Sequence, residues 1–156
     1  YADGALSGTL QDEKKTEPWP TLFRALALSN DAHLDRHNKA RGEPTEAALL
    51  RAAQAAGWDK TALEGKAPRL KELPFDSERK RMTTFHGESG AVISYTKGSP
   101  ESVMPCCTSV LTASGELAID HAAGVLATES VGMHGVLRNR PDRLQHLYLL
   151  VAQMLG

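Results

Sequence analysis

Residues 69–101 read RLKELPFDSERKRMTTFHGESGAVISYTKGSPE, and three extended segments followed by a helix start can be taken from them. Arg69–Pro74, Met82–His86 and Ala91–Thr96 are strand-length runs bounded by turn formers, and Gly87-Glu88-Ser89-Gly90 is a hairpin connection between the last two. An antiparallel meander is predicted. Ser99 suits a helix N-cap and Pro100 the first helical position, while Pro105 is expected to stop that helix after little more than a turn. The third strand therefore delivers Lys97-Gly98 to a helix N-terminus.

Toward the N-terminus, Leu22–Leu28 is rich in helix formers and Ser29-Asn30-Asp31 supplies a stop. A second helix is expected from Pro44, which suits a first helical position, to Gly57, a C-terminal cap. Its Ala47, Leu50 and Ala53 give a small-residue face for close packing. Before these, Tyr1–Pro20 mixes charges, glycines and prolines and holds at most one weak strand. Toward the C-terminus the expectations are a strand near Ser109–Thr112, a turn at Ser114-Gly115, a helix from Glu116 to about Thr128, and an apolar Leu147–Leu155 stretch compatible with strand or helix.

The 156 residues suit a single domain over 1–156, and 41% hydrophobic with 24% charged residues is ordinary for a globular α+β protein. A formal charge of −1 gives no broad field for nucleic acid or an anionic membrane, so any anion site must be local. No run approaches the ~20 apolar residues of a membrane span. Cys106 and Cys107 are adjacent, which disfavours a bridge between them and fits a reducing compartment. His33 and His37, four apart, could share a helix face, but two ligands without a third are weak grounds for a metal. No P-loop and no Gly-x-Ser-x-Gly elbow is present. An independent enzyme built on His33, His37 or His86 has no assembled set of bases or ligands behind it.

Three segments concentrate the remaining signal: Gly42-Glu43-Pro44-Thr45-Glu46-Ala47-Ala48-Leu49, Pro74-Phe75-Asp76-Ser77-Glu78-Arg79-Lys80-Arg81-Met82, and Lys97-Gly98-Ser99-Pro100-Glu101. Together, in this order and spacing, with Cys107 after the third, they resemble the signature stretches of the nucleotide-binding domain of type II P-type cation-transporting ATPases, calcium-pump-like members above all. The resemblance covers roughly Leu22 to Cys107. It implies an α+β fold with an antiparallel twisted sheet of six or seven strands and flanking helices. It also implies that 1–20 and 140–156 lie near connections to a phosphorylation domain.

The resemblance further assigns roles. Phe75 stacks on adenine, an interaction of about 1–3 kcal/mol; spacing alone favours a core residue, and the resemblance reverses that reading. Glu46 faces the adenine edge, although a carboxylate in a first helical turn is stabilised there by the helix dipole without any ligand. Lys97 lies deep in the pocket beside Gly98 and Ser99, and Lys80 borders the nucleotide nearer the phosphates, where an ammonium is a point-charge partner. Met82 lines the pocket. Arg79 and Arg81 alternate with Lys80 and are expected to be solvated or ion-paired. Two positions depart from the family pattern: Ser77 stands where the best-known calcium pump has an arginine, and His134 stands where a further arginine is usual.

The implied function is ATP binding, with Mg2+ in the full-length pump, so that the γ-phosphate is presented to an aspartate of a separate phosphorylation domain. No Asp-Lys-Thr-Gly-Thr segment occurs in residues 1–156, so this chain is expected to hold nucleotide without hydrolysing it. Its implied partners are ATP or ADP and the phosphorylation and actuator domains of the same polypeptide, with no nucleic acid and no direct membrane contact. Its implied place is the cytoplasmic side of an integral membrane protein. The alternative is a protein-interaction domain with a degenerate nucleotide pocket, which Ser77 and His134 bring into view.

Overall fold

The computed structural model describes residues 15–119, 136–139 and 144–150, the last two segments through backbone pairing alone. Helix α1, Trp19–Leu28, starts among prolines that pre-set the helical φ, and buries Phe23 and Ala25 to Leu28. Strands β1, His33–Leu34, and β2, Ala40–Arg41, form a small antiparallel ribbon. Asp35 closes its loop, accepting from the backbone N–H groups of His37 and Lys39 and from Arg41 Nε. His33 therefore sits on a strand and His37 in a turn, which corrects the expected shared helix face. Among the described residues no group of three or more His, Cys, Asp or Glu side chains converges to hold a metal.

Helix α2, Pro44–Ala55, is capped by the Glu43 carboxylate, which accepts from Glu46 N–H at 3.1 Å. Backbone N–H groups of Glu46 and Thr45 hold the Glu43 carboxyl below the usual carboxylate range. Helix α3, Lys60–Lys66, is absent from the sequence expectation; Asp59 caps it, accepting from Ala62 N–H at 2.7 Å.

Strands β3 (Arg69–Asp76), β4 (Arg81–Glu88) and β5 (Ala91–Gly98) make the predicted meander. Ser89 and Gly90 turn β4 into β5 with φ of 49° and 80°, as a two-residue hairpin loop requires. Helix α4, Pro100–Val103, passes straight into a 3-10 turn, Met104–Cys106, so Pro105 tightens the helix where it was expected to end it. Strands β6 (Ser109–Thr112) and β7 (Gly115–Ala118) form a second hairpin. The expected helix from Glu116 is thus corrected at its start: Glu116 is paired with Leu111 in a ladder that consumes the backbone groups a helix would need. The rest of that expected helix lies outside the described residues. Strands β8 (Val136–Asn139) and β9 (Leu144–Leu150) follow.

The fold is α+β, but the expectation of a single antiparallel sheet is corrected. Antiparallel pairing runs in separate pieces: the β1–β2 ribbon, the β3–β4–β5 meander, and the β6–β7 hairpin with its neighbours β8 and β9. Meander and hairpin do not touch as neighbours. Strand order β3-β4-β5-β9-β8-β6-β7 joins them, and the junction β5–β9 is parallel, with Val92 beside Leu144 and Gly98 beside Leu150.

Ile93 and Tyr95, two apart on β5, point the same way and pack with Phe23, Leu26, Leu49 and Ala53 of α1 and α2. The next residue on that face is Lys97, so the helices cover the sheet up to the point where its chemistry begins. His86 is fully buried in this region. Its Nδ1 lies 3.1 Å from the Ala67 carbonyl, which can only accept, and its Nε2 3.0 Å from Thr84 Oγ1, so the neutral ring is satisfied at both nitrogens. Burial holds its pKa below the ordinary value near 6.5, against the Ala67 hydrogen bond. The unfolded chain then binds the extra proton, so this contribution is complete above about pH 6.5 and is lost as pH falls toward the depressed folded value. We expect Tm to drop between pH 7 and pH 5, and His86→Gln to flatten that slope. An equally steep slope in the variant would assign it to other groups.

Candidate functional site

The meander's open end gathers the singled-out residues because three chain segments terminate there. Glu46 stands in the first turn of α2 and Lys97 near the end of β5. Lys97 Nζ donates to Glu46 Oε1 at 2.6 Å and to the Ser29 carbonyl at 2.7 Å. The other carboxylate oxygen, Oε2, accepts from Asp31 N–H at 2.9 Å. Both side chains are mostly covered, 12% exposed for Lys97 and 14% for Glu46. At such depth the pair is only weakly screened, and neither charge is left uncompensated. A carboxylate has about four acceptor sites, so Glu46 retains capacity for one or two further donors.

Gly98 follows Lys97, and a Cβ at this position would lie 2.5 Å from both Arg81 Cβ and the Lys80 carbonyl oxygen. The two backbones approach here as only glycine allows. Ser99 N–H then donates to the same Lys80 carbonyl at 3.0 Å, and Lys80 N–H to the Asp76 carbonyl at 2.7 Å. The Lys80 backbone, at φ 52°, is thereby fixed while its side chain remains exposed. Asp76 Oδ1 accepts from Glu78 and Arg79 N–H, which holds its carboxyl low and shapes the 77–80 turn. Ser77 is exposed within that turn. Arg79 and Arg81 form no ion pair among the described residues; they donate to the carbonyls of Pro74 and Ser102.

Phe75 is 64% exposed, and the register explains its direction. Leu73 pairs with Thr83 but Asp76 with Arg81, so β3 spends one residue more than β4 over this interval. Asp76 shares the face of Arg81, so Phe75, one residue before it, falls on the opposite face with Met82. Met82 pairs with Lys97 across the β4–β5 ladder. Without the bulge the ring would point to the other side of the sheet. Met82 itself is 5% exposed and forms the floor beside Lys97.

Glu46, Met82, Lys97, Gly98 and Ser99 thus meet at one sheet end, with Phe75, Ser77 and Lys80 on its rim. His134 lies outside the described residues. Sequence reasoning missed the segment Ser29–Asp31, read only as a helix stop. Its carbonyls take Lys97, Lys60 and Arg69: Lys60 Nζ donates to the Asn30 and Ala32 carbonyls, and Arg69 to the Leu28 and Asn30 carbonyls and to Asp31. The available signal was a polar triplet after a strongly apolar helix, in a chain carrying basic residues at the starts and ends of later elements.

Residues 18–125 match the family described as P-type ATPase, cytoplasmic domain N. Among curated proteins the chain is 37% identical over 89 residues to calcium-transporting ATPase 1 of Lactococcus lactis, covering 57% of the chain and 10% of that protein. It is 39% identical over 93 residues to cation-transporting ATPase pma1 of Synechocystis, covering 58% and 10%. It is 34% identical over 122 residues to probable cation-transporting ATPase F of Mycobacterium bovis, covering 76% and 13%. The chain therefore matches 10–13% of the length of these relatives.

Proposed function

We propose that this chain, which belongs to the P-type ATPase cytoplasmic N-domain family, binds ATP and positions its γ-phosphate for transfer to an aspartate elsewhere in a cation pump. The observation that carries the reading is an aromatic ring exposed on the same sheet face as a mostly covered lysine–glutamate pair. An exposed phenylalanine costs solvation unless a flat partner covers it, and adenine is such a partner. Glu46, with acceptor capacity left over, would take the exocyclic amino group. Lys97 would close the inner edge, and Lys80, fixed in backbone and exposed in side chain, would reach the phosphates.

The chemistry assigned to this chain is positioning. A magnesium ion would travel with the triphosphate and supply charge neutralisation there; no step is assigned to a metal held by these residues. The whole pump would sit in a membrane and couple hydrolysis to cation transport; of these properties, the relatives' names carry ATPase and cation or calcium transport. The actuator and phosphorylation domains of the same polypeptide would be this domain's partners. Ser77, uncharged on the rim, and Lys97, already neutralised by Glu46, favour weak binding, with a Kd of roughly 0.1–1 mM.

The test is an NMR titration with ATP. Saturable shifts are expected at Glu46, Phe75, Lys80 and Gly98, and Phe75→Ala is expected to weaken binding about tenfold or more while leaving Tm unchanged, because the ring supports no core. Absence of shifts up to several millimolar ATP would instead favour a protein-interaction domain with a degenerate pocket.

A further inference from the structure

Asn30 is fully buried at the end of α1. Its Nδ2 donates to the Glu46 carbonyl at 2.7 Å and to the Leu26 carbonyl at 3.2 Å, and its Oδ1 accepts from Ala32 N–H at 2.7 Å. Its neighbours reach the same site: the Ser29 carbonyl receives Lys97 Nζ, and Asp31 N–H binds Glu46 Oε2. Three consecutive residues therefore grip Glu46 by its backbone and carboxylate, and Lys97 by its ammonium. A buried amide is costly unless each of its groups is partnered, and here one partner is the residue that carries the site's carboxylate.

We propose that Asn30 is a positioning residue for the nucleotide site, fixing the first turn of α2 so that Glu46 and Lys97 face the side of the sheet that carries Phe75. The inference rests on the ATP-binding reading above. Asn30 itself touches no ligand; it acts through Glu46, because a carboxylate held from two sides presents its remaining acceptor sites in one direction only.

The test compares ATP titrations of wild type, Asn30→Ala and Asn30→Ser, each also combined with Glu46→Gln and with Phe75→Ala. Asn30→Ala is expected to weaken ATP binding about tenfold, the loss of one supporting hydrogen bond, and to move the Asp31 amide resonance before any ligand is added. Adding Glu46→Gln to it should cost little more, since both act through one carboxylate, whereas Phe75→Ala should multiply in full. A merely structural asparagine would lower Tm without this pattern of coupling. Should Asn30→Ala fail to fold, Asn30→Ser serves, since its hydroxyl can accept from Ala32 N–H but is too short for the Glu46 carbonyl. Affinity within twofold of wild type, independent effects of Asn30 and Glu46, or a serine variant too unstable to titrate would each overturn the proposal. Failure of wild type to bind ATP, seen before any variant is compared, would remove the function reading and this inference with it.

Discussion

Glu46→Ala is expected to destabilise the fold by about 2–4 kcal/mol, because it strands a lysine that the fold has already desolvated. Removing one partner of a buried pair costs about 3–5 kcal/mol, and residual exposure of 12–14% moves the expectation to the lower part of that range. Lys97 Nζ would retain only the Ser29 carbonyl, and Asp31 N–H would lose its acceptor. Glu46→Gln is no simple rescue, since the amide must offer its oxygen to Lys97 and its NH2 to a backbone donor, or the reverse. Urea unfolding of Glu46→Ala, Lys97→Met and the double variant at pH 7 measures the effect. The double variant should be less damaged than the sum of the singles, because no buried charge remains unpaired in it. A loss below about 0.5 kcal/mol in Glu46→Ala would mean that the pair behaves as an exposed one.

Gly98→Val should be of comparable severity for a different reason. The φ of Gly98 lies outside the left-handed region, so the cost is one of space. A first side-chain carbon would meet Arg81 Cβ and the Lys80 carbonyl at 2.5 Å, and backbone cannot step aside as a flexible side chain could. We expect about 2–3 kcal/mol of destabilisation from overpacking. The end of the β4–β5 ladder should part, breaking the bond from Ser99 N–H to the Lys80 carbonyl. Hydrogen exchange at Ser99 reads this directly: protection should fall at its amide, the donor of the broken bond, while that of Tyr95 stays high. Unchanged protection at Ser99 would show that the strands absorb the side chain without separating.

How much of this was legible in the sequence depends on how local the determinants are. The β3–β4–β5 meander and α2 announce themselves through alternation, turn residues and caps lying within a few positions of one another. Helix α3 has only seven residues, one of them Gly65, and depends on its Asp59 cap and on packing, so periodicity could not find it. Glu116 looked helical because its surroundings are good helix formers, yet pairing with Leu111 overrode that preference. The candidate site divides likewise. Glu46, Phe75 and Lys97 were singled out by motif, but the bulge that turns Phe75 toward Met82 is a property of two strands in register. The grip of Ser29–Asp31 on Glu46 and Lys97 joins segments far apart in the chain, and nothing around Asn30 distinguishes it from an ordinary helix stop.

The parallel junction between β5 and β9 bears on how the chain acquires this structure during synthesis. The meander closes through hairpins and can form as soon as it leaves the ribosome, on the microsecond scale of such turns. Its β5 edge stays unpaired until residues 144–150 arrive, since Val92 must wait for Leu144. Pairing of such sequence-distant strands is the slow class of folding event. Until it happens, the nascent chain displays an open strand edge directly beside the Lys97 site, available to other chains as readily as to its own. A truncation before residue 144 should therefore accumulate as aggregate even though every residue named in the site would still be present.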